Sequence, residues 1–428
     1  MKRYAEYRDS GAEWIGEVPA SWNTGLIGSL YTLRNTKVSD RDYPPLSVTM
    51  KGVVPQLETA AKTDDHDSRK LVKKGDFAIN SRSDRRGSCG ISDYDGSVSL
   101  INTVLSPRGS MDPSYYNWLF HTVQFADEFY KNGHGIVDDL WTTRWDEMKR
   151  ITIPCPSEEE QAGIALYLDQ KVGHIDNLID EAKVSIEEYK AWKASIIYEA
   201  VTKGLDKDVE MKDSGVEWQK SIPVDWSFQR LKFLTTDIVD CPHETPEYVP
   251  DGKYYVIRTA DQDFARLRDD QDMYRLNESE YINRIRRLSL DKDDIVYGRE
   301  GERWGLACLV PDSGKYCLGQ RMMQFRCRKD VFLPSFAVYA LSSPDVRRQG
   351  EYDTLGSTSP HVNISTIKNY YIPVPNSLSE QERIAQYLDK QTKIIDSLVS
   401  EKEALVSDLE AYKKSLIFEV VTGKRKVV

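Results

Sequence analysis

The chain has little of what would let a small or charge-driven protein work. Cys89, Cys155, Cys241, Cys308, Cys317 and Cys327 are its only cysteines, and neither a C-x-x-C pair nor a His-x-x-x-His partner accompanies them. That spacing excludes the usual zinc modules and makes reduced thiols the expectation, with no metal bound. Nowhere do about eighteen apolar residues run together, as a membrane helix requires. The opening Met-Lys-Arg-Tyr-Ala-Glu-Tyr-Arg is polar, so no membrane association and a cytoplasmic location are expected. Positive charge is not in excess either. Lys plus Arg number 58 against 68 Asp plus Glu, a net charge of −10, which excludes a protein that holds nucleic acid by phosphate neutralisation alone.

Catalytic motifs are scarce as well. No glycine-rich phosphate loop occurs. Tyr43-Pro44-Pro45-Leu46 has the prolines of an amino-methyltransferase motif but neither its leading amide or acid nor its trailing aromatic. Pro311-Asp312-Ser313-Gly314-Lys315 lacks the second acid-x-lysine element of a Mg²⁺ nuclease and reads as a turn. The chain is therefore expected to be non-catalytic and to bind no cofactor of its own. Two rivals are an enzyme fused to recognition domains, and a coiled-coil scaffold with no nucleic-acid role.

What is present is repetition. Asp9-Ser10-Gly11-Ala12-Glu13-Trp14 with Pro19 and Trp22 recurs as Asp213-Ser214-Gly215-Val216-Glu217-Trp218 with Pro223 and Trp226, at a constant offset of 204. A second block, Ile153-Pro154-Cys155-Pro156, Glu160-Gln161 and Ile164-Ala165-Leu166-Tyr167-Leu168-Asp169, recurs as Ile372-Pro373-Val374-Pro375, Glu380-Gln381 and Ile384-Ala385-Gln386-Tyr387-Leu388-Asp389. From Glu160 onward the offset is 220. The stretches between the blocks, 25–150 and 230–370, align poorly. Two copies of a scaffold with unlike inserts describe a protein that presents two different surfaces.

After Pro156 the pattern turns helical. Ser157 is the expected N-cap, with Glu158, Glu159 and Glu160 in the first turn where carboxylates suit the helix dipole. Leu168, Ile175, Ile179 and Ile186 lie on a heptad seam interrupted by Lys193. The copy, expected to begin at Ser379, carries Leu388, Ile395, Val399 and Leu409, with Thr392, Lys402 and Lys413 as polar members. Such a stripe cannot be buried alone, so the two helices are expected to pair antiparallel. Each would be about 60 Å long at 1.5 Å per residue.

The unlike stretches are strand-rich, with candidates at 46–50, 76–80, 97–101, 254–258, 294–297 and 323–327, and helical patterns at 113–130 and 334–348. Arginines gather in turns after strands: Arg82, Arg85 and Arg86 in Ser-Arg-Ser-Asp-Arg-Arg-Gly, and Arg299 and Arg303 in Gly-Arg-Glu-Gly-Glu-Arg-Trp-Gly, with Arg321 further on. Arginine offers the bidentate fork that guanine's major-groove edge accepts. A second loop precedes each Ile-Pro block, carrying Thr142, Thr143 and Arg144, then Ser357, Thr358, His361 and Asn363. Its hydroxyls, amide and ring nitrogens suit phosphate or base-edge contacts.

The Asp-Ser-Gly-x-Glu-Trp opening and the Ile-Pro-x-Pro…Glu-Gln-x-x-Ile-Ala-x-Tyr-Leu-Asp entry to a long helix, each present twice, closely resemble the specificity subunits of type I restriction-modification systems. The resemblance spans essentially the whole chain. It implies an α+β architecture: two mixed α/β target-recognition domains separated by a long antiparallel pair of coiled-coil helices with internal pseudo-twofold symmetry. On this reading, residues 1–157 form the first recognition domain and 158–203 the first helix, while 204–376 form the second domain and 377–428 the second helix and tail. The resemblance also implies double-stranded DNA read as two half-sites, with the arginine turns and Thr/Ser loops as readers. Two modification subunits carrying S-adenosylmethionine would dock on the helices, and two motor-nuclease subunits using ATP and Mg²⁺ would join them. The seam residues are expected to be the partner-binding positions.

Overall fold

In the computed structural model, residues 2–57, 66–82, 85–135, 141–268, 273–354 and 360–428 are described. The chain divides into two compact units. One comprises Met1–Val184 and Lys402–Val428, the other Ser185–Glu401. Each unit thus contains one strand-rich segment, part of the long helix that follows it and part of the other long helix.

In the first unit four antiparallel strands lie in the order Cys89–Ile91, Phe77–Asn80, Asn102–Pro107, Tyr31–Leu33. The second unit repeats this connectivity in the order Ala307–Leu309, Ile295–Gly298, Met322–Cys327, Thr235–Asp240. The poorly aligning middles therefore share a central sheet. They differ in a second sheet, which is wholly antiparallel around Arg69–Val72 in the first unit and mixed around Tyr254–Ile257 in the second. A helix pair follows each central sheet. Pro113–Phe120 is started by Asp112, whose carboxylate accepts from Ser114 N at 2.8 Å, and Thr122 caps Val123–Lys131 in the same way. Pro334–Leu341 and Pro344–Thr354 are the counterparts. Each strand predicted from the alternation of apolar residues is found, with ends shifted by a residue or two, whereas each expected helical stretch is a pair of helices and the second runs on to Thr354.

The segments are closed by the repeated blocks. Asn23–Leu26 pairs with Thr152–Cys155, and Trp226–Arg230 with Tyr371–Pro375. The chain then enters the helices Glu158–Lys203 and Leu378–Val421. Ser157 Oγ accepts from Glu160 N at 3.3 Å, as a capping residue should. The second helix starts at Leu378 rather than the expected Ser379, because Ser377 O already receives the amides of Glu380 and Gln381.

The motif residues prove to be fasteners. Trp22 and Trp226 are buried and donate their indole N–H to Glu160 (3.0 Å) and Glu380 (3.1 Å). Gln161 donates to Pro156 O and accepts from Asp112 N, both at 2.9 Å. Gln381 does the same with Pro375 O and Leu333 N. Asp169 receives the Trp118 indole at 2.9 Å, and Asp389 the Tyr339 hydroxyl at 2.6 Å. A buried polar group left without such a partner costs about 1–3 kcal/mol, which explains why these polar and aromatic letters repeat.

Helix pairing is visible inside each unit. In the first, Asp176 meets Lys413 at 2.6 Å and Lys183 meets Glu410 at 3.7 Å, so numbers rise on one helix as they fall on the other and the two run antiparallel. In the second, Asp396 meets Lys193 at 2.7 Å. Asp176 with Asp396, and Lys193 with Lys413, are equivalent under the offset of 220, so two of the polar interruptions of the seam, Lys193 and Lys413, form one ion pair made twice. Leu168, Ile175, Ile179, Ile186, Leu388 and Ile395 are buried, and Val399 and Leu409 half-buried. Leu168, Ile175 and Ile179 sit in the first unit's core and Leu388 in the second's. The expectation that Leu168, Ile175, Ile179, Ile186, Leu388 and Ile395 bind partner subunits is thereby corrected, since burial of these side chains holds each unit to its helices. The apolar surface that the helices leave open is a different set, including Leu166, Val184, Trp192, Ile394, Leu405 and Tyr412.

Candidate nucleic-acid interface

Both candidate surfaces are built on one backbone device. In each unit the turn after a central strand zips to the loop that precedes the Ile-Pro strand. In the first, Arg82 bridges antiparallel to Thr142, and Thr143 N donates to Ser81 O at 3.0 Å. In the second, Glu300 bridges antiparallel to His361, and Val362 N donates to Arg299 O at 3.1 Å. This register makes Ser81 equivalent to Arg299, Arg82 to Glu300, Thr142 to His361 and Thr143 to Val362. The two arginine turns recognised in the sequence occupy equivalent places, with Ser81 rather than Arg82 at the position of Arg299.

The first seam is fastened by neutral groups. Ser81 shares a buried hydrogen bond of 2.9 Å with Thr103. Thr143 is buried, and its hydroxyl donates to Phe129 O at 2.8 Å. Its expected role as a DNA contact is therefore corrected: the hydroxyl anchors the loop from inside. His134 lies at the edge, its backbone paired with Thr142 and its ring 3.6 Å from Glu147. Arg82, Arg85, Arg86 and Arg144 are exposed around this seam. Arg86 stands 5.3 Å over the Tyr130 ring and 3.3 Å from Asp127. Gly87, at φ +74°, lets the turn close behind them in a conformation that a side chain disfavours.

The second seam is fastened by charge. Arg299 is only 4% exposed and contacts Asp240 (3.1 Å), Glu300 (3.0 Å), His361 Nε2 (3.2 Å) and Val362 O (3.3 Å). Its guanidinium is consumed by the fold, which corrects its expected role as a reader. Asp240 also holds His243 at 2.9 Å, and Glu300 holds His361 Nδ1 at 3.0 Å with Arg321 at 4.0 Å. Gly301 N donates to Pro360 O at 2.9 Å. Arg321 is exposed and Arg303 half-buried. Asn363 is also exposed, its amide held by Asp353 at 2.9 Å. Ser357 and Thr358 lie outside the described residues.

Sequence reasoning missed Asp240, Glu300, Ser81 and Thr103. Glu300 carried a local signal, an acid beside the arginine of a glycine-flanked turn. Asp240 carried none, because it arrives from a strand 59 residues earlier in the chain. Five of the six cysteines are buried, and burial pushes thiols such as Cys308 and Cys317 up to about 12. They are therefore poor nucleophiles at neutral pH.

A family model described as the type I restriction modification DNA specificity domain matches residues 240–406. That span begins at Asp240, includes the whole charged seam and runs into the second helix. Over those residues the chain is similar to the specificity domain of type I restriction-modification systems. A similar protein is the putative type I restriction enzyme MjaX specificity subunit of Methanocaldococcus jannaschii, 25% identical over 284 residues. The match takes in 66% of this chain and 61% of the relative's length, so the chain spans about three-fifths of that curated relative. The HsdS subunit from Thermoanaerobacter tengcongensis shares the specificity-subunit fold at a TM-score of 0.53 and 15% identity, covering 95% of this chain and 98% of that one. A chain solved in work on complex assembly and conformational transition of the type I R-M system is more similar in fold, with a TM-score of 0.70, 14% identity, and coverage of 94% and 98%. The likeness to these two chains is one of fold.

Proposed function

We propose that the chain is the DNA sequence-specificity subunit of a type I restriction-modification complex, with each strand-rich segment reading one half of a split duplex site. The observation that carries this reading is the seam built twice on one backbone register with unlike side chains around it. Arg82, Arg85, Arg86 and Arg144 ring the first, and Arg303, Arg321 and Asn363 the second. A constant frame with variable polar edges is what reading two different base sequences requires.

On this reading the chain is non-catalytic. Two modification subunits supply S-adenosylmethionine for adenine N6 methylation, which requires the base to leave the stack. Two motor-nuclease subunits supply ATP- and Mg²⁺-dependent restriction. The exposed Leu166, Trp192, Leu405 and Tyr412 offer helix surface to these partners. The net charge of −10 fits a subunit that shares phosphate neutralisation with partners and contributes base contacts itself. The isolated chain should then bind DNA weakly. Adding modification subunits should produce tight, selective binding, and methylation-aware sequencing of cellular DNA should reveal a split motif. Equal affinity for random DNA with partners present would overturn the proposal.

A further inference from the structure

Resting on that reading, we infer that His361 is a positioning residue that keeps the second seam zipped only while its ring is neutral, so that recognition through the second segment weakens on acidification while the first segment is spared. The argument begins with Arg299. Its guanidinium is an obligatory donor, is nearly inaccessible to water, and points Nη1 at His361 Nε2 from 3.2 Å. An atom receiving that N–H carries a lone pair, so the ring proton belongs on Nδ1, which lies 3.0 Å from Glu300 Oε1. Each ring nitrogen is thereby assigned a task that only the neutral tautomer performs: accept from Arg299, donate to Glu300. Protonation would set a second N–H against Nη1 and remove the acceptor.

The carboxylates around the ring also have other partners. Glu300 is already engaged by Arg299 and Arg321, and Asp240 by Arg299 and His243. Asp353, on the helix before the loop, is occupied by the Asn363 amide. What would loosen is the junction of the Arg299–Arg303 turn with the loop that leads into Asn363, and hence the placing of Arg303, Arg321 and Asn363. The first seam has Ser81 where the second has Arg299, and its edge histidine, His134, lies 3.6 Å from the Glu147 carboxylate. The contrast lies in the guanidinium that faces His361.

The test uses the full chain with its modification subunits and the split duplex, titrated from about pH 8 to about pH 5.5, the span in which imidazole changes charge. Affinity should fall about tenfold, the worth of one hydrogen bond to a charged group. Scrambling the half-site read by the second segment should abolish that fall, and scrambling the other should leave it. His361→Gln, whose amide oxygen is an acceptor at every pH, should flatten the profile whatever its affinity at pH 8. Arg299→Lys, lacking the planar fork, should weaken selectivity for the second half-site at every pH. A fall of equal size in His361→Gln, or one tied to the first half-site, would overturn the positioning role. No selective binding at pH 8 would instead overturn the reading of the chain as a specificity subunit.

Discussion

Ser81 and Arg299 occupy the same place on the same backbone zipper, yet one is held by a threonine hydroxyl and the other by two carboxylates, an imidazole and a carbonyl. Backbone pairing fixes the path of the loops, so the side chains beneath them need only satisfy one another. A neutral solution and an ionic one serve equally as geometry, but they differ in what happens when a partner is removed.

The largest contrast should come from that removal. Arg299→Ala strands two shielded carboxylates and should destabilise the second unit by about 3 kcal/mol. Ser81→Ala should cost the first about 1 kcal/mol. Urea unfolding followed separately in the two units would measure both, and equal losses would erase the distinction. Next, Glu160→Ala and Glu380→Ala should each cost about 2 kcal/mol, because each leaves a buried indole N–H without an acceptor. Here the units should agree, and a large difference would show that the fasteners are not equivalent. Smaller still are the helix ion pairs. Double-mutant cycles on Asp176 with Lys413 and Asp396 with Lys193 should give about 0.5 kcal/mol each, since all four side chains retain some solvent access. Least of all, Arg86→Ala removes a pair exposed by 61% and 62%. It should leave the unfolding curve in place while weakening binding to one half-site, measured with modification subunits present. An unchanged footprint would remove Arg86 from the readers.

Much of this architecture can be read in the letters, and physics decides which parts. The repeated blocks are legible because indole, carboxylate and amide fasteners tolerate few substitutes. The shared central sheet is not, because Phe77–Asn80 and Ile295–Gly298 meet the same demand with unrelated residues that need only be apolar and strand-forming. The seam stripe was legible as apolar, but whether it faced partner chains or its own core depended on burial that spacing does not encode. Thr143 was misread for the same reason. In Trp-Thr-Thr-Arg nothing distinguishes the threonine that turns inward. Arg299 looked like a reader because arginine in a glycine-flanked turn usually faces solvent. Its carboxylate partner Asp240 comes from a distant strand, and only the folded sheet joins them.

The fasteners also make the segments interchangeable. Trp22, Glu160 and Gln161 belong to the scaffold, as do Trp226, Glu380 and Gln381. Besides the apolar side chains that cover the helix stripe, each segment offers a main-chain amide, from Asp112 in one case and Leu333 in the other, and one aromatic donor to the waiting aspartate, an indole in the first and a phenol in the second. Almost any sheet-and-helix-pair module of the right length can meet those terms. A graft exchanged between Trp22 and Ile153 that also covers the helix stripe would inherit its anchorage at no cost to the frame.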